Sequence, residues 1–575
     1  MFTKSTFRRG RAIAAVAVAI TAVLGATGVV GLARAGATTP PAFTWPEFHN
    51  TADLQGVSPD PGISTANAST LGVKWMTPVT PGLDSPAVAY NATLGETLVY
   101  EGGLNGLFNA VDANTGHIVW SVVLPSSVFS SPLVEGNNVW VAPHEKFLYK
   151  LNAATGATEC TASVKGGVQG TPVIATPPGG TTTIYLGAVG QGTTLHAQVA
   201  AVNEATCAAQ PSFKFRGYPT NGTSIGTWAP FSYAVNASGR GLVLWGSDDP
   251  DCAVYAVDAI TGKLVWRFQT LAGTDLDVGA GITTSAPGVN GFADGVAYVD
   301  GKDGILYAID LTTGQQIWSW NFGGGSTNTN ADTTPALSGT TLVFADTGHV
   351  YAVNAVTGVE EWHYVDRGAL IDASPIIVGP AGEQVVAVGD FNGLFDVMSL
   401  SNGTVVNPGL YSYSTGAFID ASAADYDGTL LVTSDNGFLY DFAPGGGNGS
   451  TPSTTVTSPV AGSTIPYPGR TMTISGTATA ADGVSAVTVE LQKSGNRWLN
   501  SGTNSYGPGL VVNQATLGTP GGTSTTWSIT VPVPKVGTTF TVLASAVGAN
   551  GVADTSALAN PPGSGSDTFT VQAAP

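Results

Sequence analysis

An alternation of apolar and polar residues from Val254 to Trp266, VYAVDAITGKLVW, is the clearest structural pattern in the chain. Alternation with a period of two buries one face of a strand, and the Thr-Gly pair at 261–262 supplies a turn residue that accepts a positive φ. The segment therefore predicts a β-hairpin whose second strand ends on a tryptophan. Near copies end at Trp120, Trp318 and Trp362, and weaker copies end at Cys160 and Cys207.

The turn position of this hairpin recurs at intervals of 40 to 55 residues. It is occupied by Gly116, Gly156, Cys207, Gly262, Gly314, Gly358, Gly403 and, by register, Gly447. A period of roughly 40–50 residues with several short strands is typical of a β-propeller with one four-stranded blade per repeat. We therefore predict an all-β, eight-bladed propeller.

A small residue followed by proline comes about thirty residues before most of these turns and predicts where each blade begins. The pairs are Ser85-Pro86, Ser131-Pro132, Thr171-Pro172, Ala229-Pro230, Ala286-Pro287, Thr334-Pro335 and Ser374-Pro375, with Ala421-Ser422-Ala423 in the eighth place. Proline is tolerated at the first residue of a strand because no ladder donor is needed there.

The two ends of the repeat region complement each other. The last repeat stops at Pro444 without a tryptophan strand, whereas LGVKW at 71–75 is such a strand without a hairpin before it. We expect this N-terminal strand to complete the last blade and close the ring, which removes an open sheet edge.

Composition and charge narrow the classes of function. The chain has 575 residues, 76 glycines, 10% charged residues and a net charge of −19. The negative field excludes nucleic acid and acidic membrane surfaces as partners.

Residues 1–35 are typical of a signal peptide. Four basic residues precede an apolar run, and Ala33-Arg34-Ala35 provides a cleavage site. We expect export by the general secretory route, and a secreted or cell-surface protein that is not inserted in a membrane after cleavage. An uncleaved membrane anchor is the alternative.

The chain changes character after the last repeat. Residues 36–70 are a lead-in, 71–444 the predicted propeller, and 445–455 a linker rich in Gly, Ser, Thr and Pro. From 456 to 575, alternating strands such as TMTISGTATA and TWSITVPV lack the propeller repeat. This part resembles a bacterial immunoglobulin-like domain, which implies a sandwich of about seven strands.

The repeats resemble those of the PQQ-type, or quinoprotein-like, propeller family from about Trp45 to Pro444, including the lead-in WPEFHNTADLQGVSP. The resemblance implies a propeller with tryptophan-docking repeats. It leaves two classes open: dehydrogenases that bind pyrroloquinoline quinone (PQQ) and Ca²⁺, and members that keep the fold as a binding scaffold.

The resemblance also implies a disulfide bond. In such propellers each tryptophan packs on the turn glycine of the neighbouring motif, and here Cys160 replaces a tryptophan while Cys207 replaces the next turn glycine. We therefore predict a Cys160–Cys207 disulfide with Cys252 free. Three unpaired buried thiols are the alternative.

Four residues match the family's cofactor site. Trp228 matches the tryptophan on which PQQ stacks, and Lys302 matches the basic residue that hydrogen-bonds the quinone. Asp249 occupies the position of a metal ligand, and Asp277 matches the catalytic aspartate beside the metal. The match implies that Asp277 takes an alcohol proton while a hydride passes to a quinone polarised by Lys302 and Ca²⁺. The alternative roles are packing for Trp228, an Asx-turn for Asp249 and a solvated turn charge for Lys302.

The chain also departs from the family's enzymes. No acidic residue lies near Thr193, where the third repeat should supply a metal-binding glutamate, and neither an adjacent-cysteine pair nor a CxxCH haem motif is present. Ca²⁺ prefers about six to eight oxygen ligands, and the matched positions supply only two carboxylates.

Acidic residues recur just before the strand openings. They are Asp84, Asp332, Asp372 and Asp420, and with Asp275 and Asp277 they form a candidate acidic ring at one channel mouth. Close carboxylates raise one another's pKa and invite a cation. A repeated cap that accepts backbone N–H bonds is the alternative.

Together these observations favour a non-catalytic binding or scaffold protein of the cell envelope or extracellular space. We expect a monomer whose partner is a protein, a glycan or a small molecule. The alternative is a PQQ- and Ca²⁺-dependent dehydrogenase that oxidises an alcohol or polyol. A structural surface protein or adhesin is supported by the C-terminal domain alone.

Overall fold

The computed structural model describes most of the chain from residue 40 onward. The described ranges are 40–82, 84–164, 166–188, 198–215, 227–248, 251–271, 278–323, 333–365, 370–406, 417–446, 452–460, 462–466, 468, 470–480, 483–493, 497–500, 505–507, 513–533, 539–548 and 566–572. The predicted signal peptide, Asp249, Asp275, Asp277, Asp332 and Gly447 lie outside them. Within them the elements are strands, apart from two 3-10 turns at Ala68–Thr70 and Val289–Gly291, so an all-β chain is confirmed. No helix in these ranges has the length and apolar character needed to cross a membrane.

The described repeats form eight sheets between residues 57 and 444. The first contains Ala87–Asn91, Glu96–Gly102, Leu107–Asp112 and Ile118–Val123. The second contains Leu133–Glu135, Asn138–Val141, Phe147–Asn152 and Thr158–Ser163. The third contains Val173–Ala175, Thr183–Ala188 and Gln198–Asn203. The fourth contains Ser232–Val235, Gly241–Gly246, Ala253–Asp258 and Leu264–Gln269.

The remaining four sheets follow in chain order. The fifth contains Thr283–Ser285, Val296–Val299, Ile305–Asp310 and Gln316–Asn321. The sixth contains Ala336–Ser338, Thr341–Asp346, His349–Asn354 and Glu360–Val365. The seventh contains Ile376–Val378, Val385–Gly389 and Phe395–Ser399, with Val57–Ser58 paired in parallel to its first strand. The eighth contains Ala424–Tyr426, Thr429–Ser434, Phe438–Pro444 and Leu71–Pro78.

The eighth sheet is completed from the other end of the chain. Leu71–Pro78 runs antiparallel to Phe438–Pro444, with Trp75 opposite Asp441. Trp75 then packs on the turn glycine of the first sheet, Gly116, and its indole N–H donates to the carbonyl oxygen of Ala113 at 3.1 Å. The pairing predicted from the sequence is confirmed.

Tryptophan docking links neighbouring sheets in the way the repeat predicts. In the fourth sheet, the Asp258 carboxylate accepts bonds from the backbone N–H and hydroxyl of Thr261 at 2.8 Å, which holds the turn while Gly262 takes φ +66°. Trp266 of that sheet donates to the Leu311 carbonyl at 2.9 Å, and a Cβ on Gly314 would lie 2.6 Å from its side chain. The same arrangement joins Trp120 to Gly156, Trp318 to Gly358 and Trp362 to Gly403.

The predicted Cys160–Cys207 disulfide is present, and Cys252 is free and buried. Cys207 has φ +54°, so it keeps the left-handed conformation of the glycine it replaces. The covalent bond therefore links the second and third sheets where a tryptophan and a glycine meet elsewhere.

The opening of the fifth sheet corrects one sequence assignment. Its first strand is Thr283–Ser285, so Ala286-Pro287 follows the strand instead of opening it. Gly281 takes the position of the small opening residue, and its backbone N–H donates to the hydroxyl of Thr334 in the sixth sheet at 2.9 Å. Proline marked the wrong end because it is equally suited to the turn that follows a strand.

The lead-in crosses the inner edges of the sheets. Trp45 bridges Val88 in the first sheet. Carbonyl oxygens of Pro46, Ala52, Asp53, Gln55 and Gly56 accept bonds of 2.7–2.9 Å from Val134, Tyr233, Thr284, Leu337 and Ile377, respectively. Because these donors belong to the first strands of five further sheets, the inner edges converge on residues 45–58. We call this stretch the channel segment.

Residues 453–572 build a separate pair of sheets. One contains Ser453–Ser458, Thr471–Thr479, Ser524–Pro532 and Thr516–Leu517. The other contains Thr464–Pro466, Ser566–Gln572, Thr539–Gly548, Val484–Lys493, Arg497–Asn500 and Ser505–Gly507, with Asn513–Gln514 paired to Val484–Lys493. Their inner faces share one apolar core that includes Ile474, Trp527 and Phe540.

Candidate functional site

One end of the eight-sheet array carries a concentration of carboxyl groups. The first two strands of each sheet are antiparallel, so the start of the first strand and the end of the second lie at the same end of the sheet. The described acids at this end include Asp84, Glu101, Asp372, Asp420 and Asp435. We call it the acidic end.

A chain of hydrogen bonds organises the acidic end. The backbone N–H of one opening residue donates to the hydroxyl of the next opening residue, over 2.8–3.1 Å. The described links run from Gly281 through Thr334, Ser374, Ser422, Ser85 and Ser131 to Thr171. The link from Ser422 to Ser85 joins the eighth sheet to the first. The recurrent serine or threonine before proline therefore fixes neighbouring sheets to each other.

Asp84 and Glu101 are fully buried beside the junction of the first and eighth sheets. Asp84 accepts the Gly102 N–H at 2.7 Å, and Glu101 accepts an amide N–H of Asn109. The second oxygen of each carboxyl has no hydrogen-bond partner among the described residues. Burial, and for Asp84 also the charge of Glu101, raises both pKa values, that of Glu101 to about 8.

The seventh and eighth sheets add a more exposed group of acids. Burial and the charges of Asp435 and Asp372 raise the pKa of Asp420 to about 7. Phe418 is 46% exposed and stacks on Phe391 with ring centroids 4.6 Å apart. Carboxyl groups beside an aromatic pair whose outer ring, Phe418, is exposed suit a ligand that carries positive charge and apolar surface.

The acidic ring itself stays a prediction, because only some of its residues are described. The structure brings Asp84, Asp372 and Asp420 to one end, while Asp275 and Asp332 lie outside the described residues. Sequence reasoning missed Glu101 and Asp435. The available signal for Asp435 was an aspartate at the end of the second strand of successive repeats or just after it, at Asp300, Asp346, Asp390 and Asp435, spaced 44 to 46 residues apart.

Two residues of the predicted cofactor site are described, and both lie at the acidic end. Trp228 precedes the first strand of the fourth sheet, is 50% exposed and donates its indole N–H to Asp248 at 2.8 Å. Lys302 follows the second strand of the fifth sheet and is partly exposed. The predicted Asp249 and Asp277 lie outside the described ranges.

The described residues at this end test whether the chain could hold PQQ and Ca²⁺. The exposed indole of Trp228 fits the stacking role. Within the described part of the chain, however, no three His, Cys, Asp or Glu side chains converge as a metal-ligand set. Neighbouring acids have structural partners: Asp251 binds Arg267 at 2.6 Å, and Asp303 accepts the hydroxyl of Tyr307 at 2.7 Å.

The channel segment brings further titratable groups inside the array. Burial, with the charges of Asp53 and Glu135, raises the pKa of Glu47 to about 8. His49 is buried, and burial lowers its pKa to about 4, so its ring is neutral near pH 7. The channel segment thus carries titratable side chains that are enclosed by the protein.

Comparison with known proteins shows the family to which this chain belongs. A family model described as "Outer membrane protein assembly factor BamB" matches residues 64–210 and 250–465. The BamB proteins of Escherichia coli (strain K12) and Shigella dysenteriae serotype 1 (strain Sd197) are each 26% identical over 407 residues, which cover 68% of this chain and 93% of each relative.

Among solved structures, the quinohemoprotein alcohol dehydrogenase of Comamonas testosteroni superposes with a TM-score of 0.57 at 15% identity. The match covers 72% of this chain and 82% of that one. It shows a shared PQQ-type propeller fold and says nothing about activity.

Proposed function

This chain belongs to the family of the outer membrane protein assembly factor BamB, and from that premise we propose that it is an exported, non-catalytic scaffold that binds a partner at its acidic end. The observation that carries the proposal is the family match, which extends through both halves of the repeat region and continues to residue 465. The BamB relatives are named for assembly, and a rigid array with one charged end suits that kind of task.

In this proposal the eight sheets are eight blades of one ring. Three features support it: docking contacts between successive sheets, the hydrogen-bond chain through the opening residues, and the completion of the last sheet by Leu71–Pro78. A propeller leaves the inner edge of each first strand facing the channel, and the channel segment bonds to five of these edges.

The domain plan is a signal peptide at 1–35, a lead-in at 36–70, the propeller at 71–444, a linker at 445–455 and an immunoglobulin-like domain at 456–575. The two sheets packed around Trp527 support the last assignment. The first strand of this domain begins at Ser453, slightly before the expected boundary. The protein is expected at the cell surface or outside the cell.

The acidic end favours a protein partner with exposed basic residues. Asp372, Asp420 and Asp435 supply carboxyl groups, and a basic partner would favour the charged form of Asp420, whose pKa burial and its acidic neighbours raise to about 7. Phe418 supplies apolar contact area. Complementary charge speeds association, and a buried aromatic group contributes most of the binding energy in many interfaces.

Chemical cross-linking of the protein in its native envelope fraction tests this proposal. We expect Asp372→Asn/Asp420→Asn/Phe418→Ala to reduce the cross-linked partner at least about tenfold. The matched control, Glu159→Gln/Glu361→Gln/Val359→Ala, changes two exposed acids and one exposed apolar residue elsewhere on the sheets and should have no effect. Equal cross-linking by both variants would exclude the acidic end as the binding surface, and the absence of any cross-linked partner would count against the scaffold.

A PQQ- and Ca²⁺-dependent dehydrogenase is the second candidate, favoured by the exposed Trp228 indole held by Asp248. There Trp228 would stack on the quinone and Lys302 would donate to its oxygens, and the bound group would supply hydride acceptance. Titration of the purified protein with PQQ and Ca²⁺, followed by quinone absorbance, separates the candidates. A saturable complex that is lost in Trp228→Ala and Lys302→Ala supports the dehydrogenase. If the wild-type protein forms no such complex, the dehydrogenase is excluded.

A further inference from the structure

The four-stranded sheet of the C-terminal domain exposes a face made of hydroxyl side chains. On Thr471–Thr479 and on 524–530, every outward position is serine or threonine, as are positions 453 and 455 of the edge strand. The register of the edge strand shifts at Thr457, which places Ser458 opposite Ser475. The alternate residues, including Ile474, Trp527 and Ile529, are buried in the core. None of the outward positions is charged. We call this surface the hydroxyl face.

Its hydroxyl groups are ordered across the strands. Ser453 and Thr479 are hydrogen-bonded at 2.7 Å, and so are Thr455 and Thr477. Neighbouring strands lie about 4.8 Å apart, and alternate residues along a strand lie about 6.8 Å apart. The face is therefore a regular lattice of groups that can each donate and accept a hydrogen bond.

A groove of about 310 Å³ opens on this lattice. Six of its lining residues present hydroxyl groups: Thr457, Ser475, Thr477, Thr516, Thr526 and Ser528. The groove is large enough for a small polar molecule, and the rows of hydroxyl groups continue beyond the groove along the strands.

We propose that the hydroxyl face binds a neutral, polymeric glycan. A face without charge offers no electrostatic attraction to polyanions or charged peptides, whereas sugar hydroxyls match its alternating donors and acceptors. A hydrogen bond that replaces one made with water contributes little net free energy, so a single sugar unit binds weakly. A polymer engages many hydroxyls at once, and its binding strength grows through effective concentration.

This proposal does not rest on the scaffold function, because the hydroxyl face belongs to other strands than those of the acidic end. A partner bound at the acidic end and a glycan bound at the hydroxyl face are measured separately, so either result can fail alone.

Sedimentation of the purified protein with insoluble cellulose, chitin or β-1,3-glucan tests the proposal. We expect retention on at least one of these neutral polymers, unchanged in 1 M NaCl, and no competition by the free monosaccharide. The variant Thr477→Val/Thr526→Val keeps the β-branched shape and removes two central hydroxyls, and it should reduce retention at least about tenfold. Thr158→Val/Thr161→Val makes the same change at exposed positions of the second sheet and should bind like the wild type.

Three outcomes would overturn the proposal. One is the absence of retention on all three polymers. Another is equal retention by Thr477→Val/Thr526→Val, with thermal unfolding showing both variants folded. The third is an intact mass of the native protein that shows sugars already attached to these residues, because the face would then be a modification site.

Discussion

At the scale of single residues, buried carboxyl groups set how stability changes with pH. Burial raises the pKa of Glu101, Glu47 and Asp425 to about 8 in each case. A carboxyl whose pKa is higher in the folded than in the unfolded chain binds its proton more tightly in the folded state. Its stabilising contribution is complete below the unfolded pKa and is lost as the pH rises through the folded value. The protein should therefore be more stable at pH 5 than at pH 9.

Glu101→Gln is expected to weaken this pH dependence. Glutamine resembles the protonated acid, so the variant should unfold near the wild-type temperature at pH 5 and at a higher temperature than the wild type at pH 9. Each unit of pKa difference corresponds to about 1.4 kcal/mol, so the change is measurable by thermal unfolding at the two pH values. The control Glu159→Gln, at an exposed strand position, should follow the wild-type curve. A Glu101→Gln curve that parallels the wild type would contradict the assignment.

At the scale of elements, the hairpin glycine performs two tasks. It adopts a left-handed turn, and it leaves room for the tryptophan of the preceding sheet. Gly358 has φ +70°, and a Cβ there would lie 2.8 Å from the ring of Trp318. Gly339, in the same sheet, has φ +59° and would have no atom within 4 Å of its Cβ.

Substitution by alanine separates the two tasks. Gly339→Ala should lower the free energy of unfolding by about 1–2 kcal/mol through its backbone conformation alone. Gly358→Ala adds a clash with a docked ring, which costs about 1–3 kcal/mol more. Urea unfolding of the two variants measures the difference. Equal destabilisation would mean that docking does not constrain this position.

The elements were predictable where the signal is local. The turn glycines and the docking tryptophans follow from a repeated pattern that is complete within each hairpin. The Cys160–Cys207 pair followed from the resemblance to tryptophan-docking propellers, because the two cysteines replace a tryptophan and the glycine on which it would pack. The strand at 71–75 could be matched to its partner because the last repeat lacked its own tryptophan strand. The predicted start of the fifth sheet was wrong because no proline follows Gly281, and Pro287 indicated a position too late in the chain. Glu101 escaped notice because a single glutamate within a strand breaks no pattern.

At the scale of the whole molecule, the channel segment ties the sheets together. Trp45 is fully buried at its first contact, and the following carbonyls bond to the inner strands of successive sheets. Sequence reasoning could not find this role, since residues 45–58 have no period and bond to strands that are distant in the chain. Asp84, Asp372 and Asp420 could be singled out from the sequence because they recur before the strand openings, whereas Phe418 became apparent only through its contact with Phe391.

Trp45→Ala should destabilise the whole repeat region. Removal of a buried tryptophan costs about 3–5 kcal/mol, and here it also loosens the segment that several sheets share. Trp228→Ala is the matched control, because its side chain is 50% exposed and its loss should change stability by about 0.5 kcal/mol or less. Thermal unfolding of both variants makes the comparison. A Trp45→Ala protein as stable as Trp228→Ala would show that the channel segment does not hold the array.

The pairing of Leu71–Pro78 with Phe438–Pro444 has a consequence for biosynthesis. The early strand leaves the ribosome hundreds of residues before its neighbour exists, and its backbone donors and acceptors have no native partner during that interval. Contacts of such sequence separation form late and slowly, so the nascent chain carries an adhesive edge for most of its synthesis. We expect correct folding only when that edge is kept from pairing with other chains until the strand that ends at Pro444 is available.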